Sequence, residues 1–474
     1  MRNTRFSLAP VLVSFLMLLG NTARGNDILE EVLITGSPDN RVDLVFTGDG
    51  YTSAQANLFR SHVENLMGVI FSETPWSGYM GFFNIYQVIT QSNESGADHP
   101  SQDIYRDTYF DSTFDYYGIQ RLTWANVSKI ITVVTELVPQ VDQIVLIIND
   151  PAYGGSGGTV AMVSVHQDSG RILLHELGHS LGGLADEYTD PYPGYPEGDH
   201  EPNVDFNYTF DEIKWNLWID PGTPLPTLMS NAIDNYNPVG AYEGARYLST
   251  GIYRPAPNCI MRTLNHRYCD VCREAMVQGF YGFVEPMDWV APSSANLVVD
   301  RGSGDLLPVL FEAEPVSTMT GDSLEVGWRL DGQPLHDGPE LAFDPNGLGL
   351  QNGEYSLEVV VVDSTTWVRK DPEERLVSRH LWNITVVGEA PDGGTLPVDA
   401  AVGDASLAPD ALVGGFDAGA GDGRWGATTF VGGCACSHLE SNPGNPGSTA
   451  LLIFILLSLG LWSKRRMNIK WDLR

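Results

Sequence analysis

His175 and His179 stand four residues apart in the stretch HELGHSLGGLADEY (175–188), with Glu176 directly after the first and two acids, Asp186 and Glu187, beyond a Gly-Gly pair. On a helix, a spacing of four turns two side chains to within about 40° of each other, so both imidazoles can face one ion from the same side. Neutral imidazole nitrogens suit Zn²⁺, and a site with one position open to water brings the pKa of that water towards about 7. Glu176 points close to the same face, where it can take the proton of an attacking water and pass it to a leaving amine. The chemistry implied is metal-assisted hydrolysis of a peptide bond.

Two histidines leave such a metal one protein ligand short. In the metzincin pattern HExxHxxGxxH, the glycine breaks the helix so that the chain turns back and delivers a third histidine. Gly182 stands at the glycine position, but Ala185 stands where the last histidine would be. A carboxylate ligates zinc at about 2.0–2.2 Å. A one-residue shift after the Gly-Gly break assigns the third ligand to Asp186, with Glu187 as runner-up and a more distant residue as the remaining alternative. The acid that does not ligate would orient one of the histidines.

Further along, NCIMRTLNHRYCDVCREAM (258–276) offers Met261 as a methionine beneath the metal. Tyr242, Tyr247 and Tyr253 precede it, and one of them could donate a hydrogen bond to an oxyanion. The same segment carries Cys259, Cys269 and Cys272, three of the five cysteines. In an exported chain this group is expected to contain one disulfide and a leftover thiol, with the pairing open. A Cys-x-x-Cys can also be half of a structural zinc site, but no second pair of ligands lies nearby in the sequence.

The elements that would position these groups follow from periodicity. RVDLVFTGDGY (41–51) looks like a buried strand, and Leu58, Val63, Leu66, Met67 and Ile70 in 53–71 have helical spacing. FFNIYQVIT (82–90) and the uniformly apolar QIVLIIND (143–150) are the next strands, the latter covered on both faces. A glycine loop and strand at 151–165 lead into the helix of 168–184, with Asp168 or Ser169 as N-cap and Gly182-Gly183 as stop. An edge strand before that helix could pair with an extended peptide. From 291 to 388 short alternating runs, LEVGWRLDGQ (324–333), EYSLEVVVVD (354–363) and RHLWNITVV (379–387), predict an Ig-like β-sandwich. The fold class expected is therefore α/β (α+β) over 26–290, then the sandwich; the resemblance of HExxHxxG to the metzincin pattern implies a metzincin-like zinc peptidase domain at 26–290.

The two ends read as export and attachment signals. Residues 1–25 have a basic start, an apolar run and small residues at a cleavage site, the pattern of a secretory signal peptide. Residues 389–446 form a flexible acidic linker ending in Cys434-Ala435-Cys436. Residues 447–474 contain STALLIFILLSLGLW and a basic cluster, a short membrane segment of about 22 Å as a helix. This ending resembles the myxobacterial-type C-terminal sorting tails, which implies attachment at the outer surface of a bacterium.

With 27 Lys+Arg against 60 Asp+Glu, the formal net charge is −33. Such a field repels phosphates, so a nucleic-acid partner is not expected.

The stretches VDLVFTGDGYT (42–52), FFNIYQVITQSNESGAD (82–98), INDPAYGGSGG (148–158), HELGHSLGGLADEY, EPNV (201–204), IKW (213–215), GAYEGARYLSTGIYRPAPNCIMR (240–262) and YCDVCREA (268–275) together resemble the IgA-peptidase family of zinc metallopeptidases, a metzincin-like group. The resemblance implies His175 and His179 as zinc ligands and Glu176 as catalytic acid/base. One acid of Asp186-Glu187 would complete the site. The expected protein is a secreted, surface-anchored zinc endopeptidase acting on extracellular proteins or peptides, with the membrane as its partner through the tail. Two other readings use the same features: a catalytically weak surface adhesin on a peptidase fold, and a zinc amidase acting on cell-wall peptides.

Overall fold

The computed structural model describes residues 22–24, 27–192, 195–302, 307–319 and 324–389. Apart from Thr22–Arg24 and Glu389, the expected leader, linker and tail lie outside these residues.

The N-terminal part alternates strands and helices: β1 (Thr22–Arg24), β2 (Asp27–Leu33), β3 (Val42–Asp49), α1 (Ala56–Ile70), β4 (Phe83–Ile89), α2 (Val127–Leu137), β5 (Gln143–Ile148), β6 (Gly155–Ser156), β7 (Val160–Ser164) and α3 (Ser169–Ser180). The seven strands form one sheet in the order β1-β2-β4-β3-β5-β7-β6. Strands β4, β3, β5 and β7 run parallel, and β6 is an antiparallel edge. Every residue of β3, β4, β5 and β7 is buried, as expected for parallel strands covered by helices on both faces.

Side chains alternate between two cores with the period of two that a strand imposes. Leu44, Phe46, Val145, Ile147, Ala161 and Val163 face α1 and α3, whereas Val45, Ile144, Leu146, Ile148 and Met162 face α2. On α1 the buried stripe is Phe59, Val63, Leu66 and Ile70. Leu58, expected in that stripe, is 41% exposed. The stripe advances by three or four residues, which selects Phe59 and turns its neighbour outwards.

After α3 the chain runs through a long segment with little regular structure, then a hairpin of β8 (Tyr242–Ala245) and β9 (Leu248–Arg254), then α4 (Asp270–Phe280). The turn that follows α3 and helix α4 approach closely where each carries a glycine. A Cβ on Gly182 would stand 2.6 Å from Met276 Sδ, and one on Gly279 would stand 2.0 Å from the Leu181 carbonyl oxygen.

The remaining strands are β10 (Met287–Ala291), β11 (Asn296–Asp300), β12 (Val309–Pro315), β13 (Glu325–Leu330), β14 (Gln333–Asp337), β15 (Glu340–Phe343), β16 (Gly353–Val362) and β17 (Val377–Val387). They form a three-stranded sheet β10-β12-β15 and a five-stranded sheet β11-β17-β16-β13-β14, in which the early strand β11 lies parallel to the last. Phe311, Phe343, Trp328 and Trp382 pack between them, with Phe311 within 6.3 Å of the other three rings.

This C-terminal unit is tied to the first by buried polar contacts. Arg41, 2% exposed, holds both oxygens of Asp288 at 2.7 Å. Asp363 Oδ2 accepts from the hydroxyls of Tyr79 and Tyr281, at 2.6 and 2.7 Å. Glu274 on α4 accepts from Trp218 Nε1 and from the backbone N–H groups of Arg369 and Lys370. An unpaired buried hydroxyl costs about 1–3 kcal/mol. Asp363→Ala leaves the Tyr281 hydroxyl without its acceptor and Tyr79 with Thr365 alone, and is expected to destabilise the protein by about 1–3 kcal/mol, measured as a lower midpoint in denaturant unfolding. An unchanged midpoint would mean that the tyrosine clamp contributes nothing.

Candidate metal centre

The helix that carries the HExxH spacing is held from below. In α3, Ile172, Leu173, Leu174 and Leu177 are buried, and Ser169 Oγ donates to the Ser164 carbonyl at 2.6 Å. Asp168 occupies the N-cap without a side-chain bond to the helix. At the other end Gly183 takes φ +61°, and the Leu184 N–H returns to the Gly178 carbonyl at 3.1 Å. That left-handed residue reverses the chain and brings Asp186 back beside the two histidines.

His175 Nε2 and His179 Nε2 are 3.2 Å apart. Asp186 Oδ1 lies 3.0 Å from the first and 3.4 Å from the second. A tetrahedral zinc with bonds of about 2.0–2.1 Å spaces its ligand atoms by about 3.3–3.4 Å, close to this triangle. Each imidazole is oriented by a backbone carbonyl: His175 Nδ1 donates to Ile260 O at 3.0 Å and His179 Nδ1 to Leu184 O at 2.6 Å. Those bonds assign the protons to Nδ1 and leave both Nε2 lone pairs facing the triangle's centre. Asp186 Oδ1 is buried with no hydrogen-bond partner. A buried polar atom left unpaired is costly, and a cation here would satisfy it. The donors fit a divalent metal of zinc type.

Charge coupling within the triangle is strong. Burial works to raise the Asp186 pKa, but the facing His179 and His175 outweigh it and hold the carboxyl well below its ordinary range. Burial likewise opposes the charged form of His179, yet the Asp186 charge prevails and pushes it up to about 9.

Asp186 is also held from outside. Its Oδ2 accepts from the Tyr247 hydroxyl, and its carbonyl accepts from the Arg246 N–H at 2.9 Å. Arg246 and Tyr247 form the two-residue turn between β8 and β9, with φ of +50° and +64°. Such turns favour Asn-Gly; bulky residues there cost on the order of 1–3 kcal/mol each. The contacts offset that cost. Arg246 is 7% exposed, pairs with Glu201 at 3.1 Å and lies over the Tyr195 ring, so it is scaffold rather than substrate surface. Tyr247 packs against Tyr188, Tyr192 and Tyr195. Removing an outer hydrogen bond to a ligand weakens metal affinity by about 10–100-fold. That is the loss expected of Tyr247→Phe in a competitive chelator titration; wild-type affinity would mean that the bond does no positioning.

The other residues singled out by sequence fall as follows. Glu176 sits on the same helix, its Oε2 against Gly157; a Cβ on Gly157 would stand 2.1 Å from that oxygen and would displace the carboxylate. Met261 is fully buried beneath α3, with Sδ 2.8 Å from where a Cβ on Gly178 would be. The Tyr242 hydroxyl donates to Pro238 O, and the Tyr253 ring lies on Tyr208; of the three tyrosines, Tyr247 bonds the triangle. Edge strand β6 is partly covered, since Gly155 already bridges Leu122 and its N–H donates to Arg121 O at 3.2 Å.

The expected disulfide is absent. Cys259, Cys269 and Cys272 are all free and buried, and the Cys259 and Cys272 sulfurs are 3.7 Å apart, beyond the roughly 2.05 Å of a bond. Glu187 does not reach the histidines. It joins the three thiols in a second cluster. Sequence reasoning missed this grouping because its members are scattered along the chain.

The family model described as IgA peptidase M64 matches residues 31–237 and 232–280, more than half of the chain. No curated protein matches. Among solved structures, the extracellular domains of a proposed one-component system and a proposed hybrid two-component system, both from B. thetaiotaomicron, align at 16% and 14% identity with TM-scores of 0.15 and 0.14. Each alignment covers 20% of this chain and 12% of the other, and likeness at that level carries no argument.

Proposed function

The chain belongs to the IgA peptidase M64 family, a family of metallopeptidases, and from that premise we propose that it is a zinc-dependent endopeptidase of extracellular proteins. The observation that carries this reading is the triangle of His175, His179 and Asp186, with its unpartnered buried carboxylate oxygen. These three residues would hold the metal. When bound, zinc supplies Lewis acidity, making water acidic near neutral pH and polarising a substrate carbonyl.

The chain's own residues do the rest. Glu176 accepts the proton of the attacking water at its carboxylate and returns it to the leaving amine. Ile260 O and Leu184 O keep both imidazoles in the tautomer that presents Nε2, and Tyr247 fixes the Asp186 carboxylate. Met261 under α3 supports a metzincin-like classification, and the two C-terminal sheets support an Ig-like one. The basic, apolar start and the apolar, basic end of the sequence support secretion with attachment at a bacterial surface. The immunoglobulin of the family name is not carried over as the substrate.

The test is hydrolysis of casein by the purified full chain before and after chelation. Loss of cleavage on chelation and its return with zinc are the expected results. Cleavage of peptidoglycan fragments in place of casein would instead indicate the amidase, and inertness towards both would indicate a binding module.

A further inference from the structure

We infer that Cys259, Cys269, Cys272 and Glu187 form a second, structural zinc site separate from the histidine triangle. The four side chains offer one ligand atom each, all within 4.8 Å of one another. The Cys259 and Cys272 sulfurs are 3.7 Å apart, and Cys272 Sγ lies 3.4 Å from Glu187 Oε1. Zn–S bonds of about 2.3 Å place two sulfurs of a tetrahedron about 3.8 Å apart, and a Zn–O bond of about 2.0–2.2 Å places sulfur and oxygen about 3.5 Å apart. The two edges at Cys272 match those of an S₃O tetrahedron, and the other ligand atoms lie within 4.8 Å. The sulfur–sulfur edge is too long for a disulfide.

Burial points the same way. Glu187 is 0% exposed and the three cysteines are no more than 1% exposed. A fully buried carboxylate needs a charge or a full set of donors. Asn203 Nδ2 donates to Glu187 Oε1 at 3.0 Å, but Oε2 has no partner. Among the described residues no basic side chain hydrogen-bonds the carboxylate: the buried Arg254 acts on it through its charge alone, and Arg262 donates to the Glu187 backbone carbonyl, at 2.6 Å. A divalent cation satisfies the carboxylate and the sulfurs together. With four protein ligands the site is closed to water, the arrangement of structural rather than catalytic zinc.

The placement gives the metal a task. Glu187 follows Asp186, and its N–H donates to Met261 O at 2.8 Å, while the Met261 N–H points to Cys259 Sγ at 3.3 Å. Ile260, whose carbonyl orients His175, lies between Cys259 and Met261. One ion would thus brace the segment that delivers the third ligand of the triangle and the segment that underlies it.

The experiment is cobalt substitution of the full chain carrying Cys434→Ser and Cys436→Ser, so that any thiolate signal comes from the buried trio. Two cobalt ions per chain are expected, one for each group, together with intense near-ultraviolet sulfur-to-metal charge-transfer bands that a His/carboxylate site cannot produce. Adding His175→Ala and His179→Ala should remove one ion and keep those bands, whatever becomes of peptidase activity. Adding Cys272→Ser should remove the bands. Should that variant not fold, mass spectrometry of the parent decides. Metal-protected thiols that become alkylated only after chelation support the site. Absence of the charge-transfer bands, a disulfide among the three, or alkylation indifferent to chelator would overturn it.

Discussion

Glu176→Gln is expected to bind metal as the wild type does and to lose peptide hydrolysis. Glutamine keeps the size of the side chain and its place against Gly157, but it cannot accept a proton. General acid–base catalysis contributes about 10²–10⁴-fold. As the proposed acid–base, Glu176 would serve both water activation and leaving-group protonation, so kcat should fall towards the upper end of that range with KM little changed. Metal analysis alongside a steady-state assay reads both quantities. Retained turnover in a fully metallated variant would remove Glu176 from the chemistry.

Asp186→Asn is expected to fail at an earlier step, in holding the metal. Its Oδ1 completes the triangle with two imidazole nitrogens, and the amide supplies no negative charge to balance a dication. The variant also disturbs the bond from Tyr247, which donates to Oδ2. A hydrogen-bonding partner outside the ligand set is worth about 10–100-fold in affinity, and loss of the ligand itself should exceed that. Competition with a chelator would show the weakening, and activity should recover partly at high zinc. Full metal retention at low zinc would exclude Asp186 as a ligand. The contrast between the two variants separates catalysis from metal holding: one gives a loaded, inert protein and the other an empty one.

The central sheet was legible because burial on both faces leaves a plain sequence mark. The apolar run of β5 and the strand of β3 appear where periodicity places them. On α1 the reading slipped by one residue, taking Leu58 for the core where Phe59 lies. Phe59 precedes Val63 by four residues and Leu58 by five, so the i+3 and i+4 steps of a buried helical stripe select Phe59 and turn Leu58 outwards.

What the sequence by itself determined is the local part of the site. The two imidazoles, four residues apart, face one way because α-helix geometry leaves them no other arrangement, and Glu176 stands beside the first of them. The tertiary structure decided what depends on distant segments meeting. Asp186 and Glu187 are adjacent acids with equal claims in the sequence. In the fold the Asp186 carbonyl bonds Arg246 on one side, and the Glu187 N–H bonds Met261 on the other. Their side chains therefore part, one to the histidines and one to the cysteines. The Cys-x-x-Cys lacked a second pair of ligands only along the chain. Cys259 and Glu187 supply it in space, because the return after Gly183 and the segment before α4 pack against the same helix.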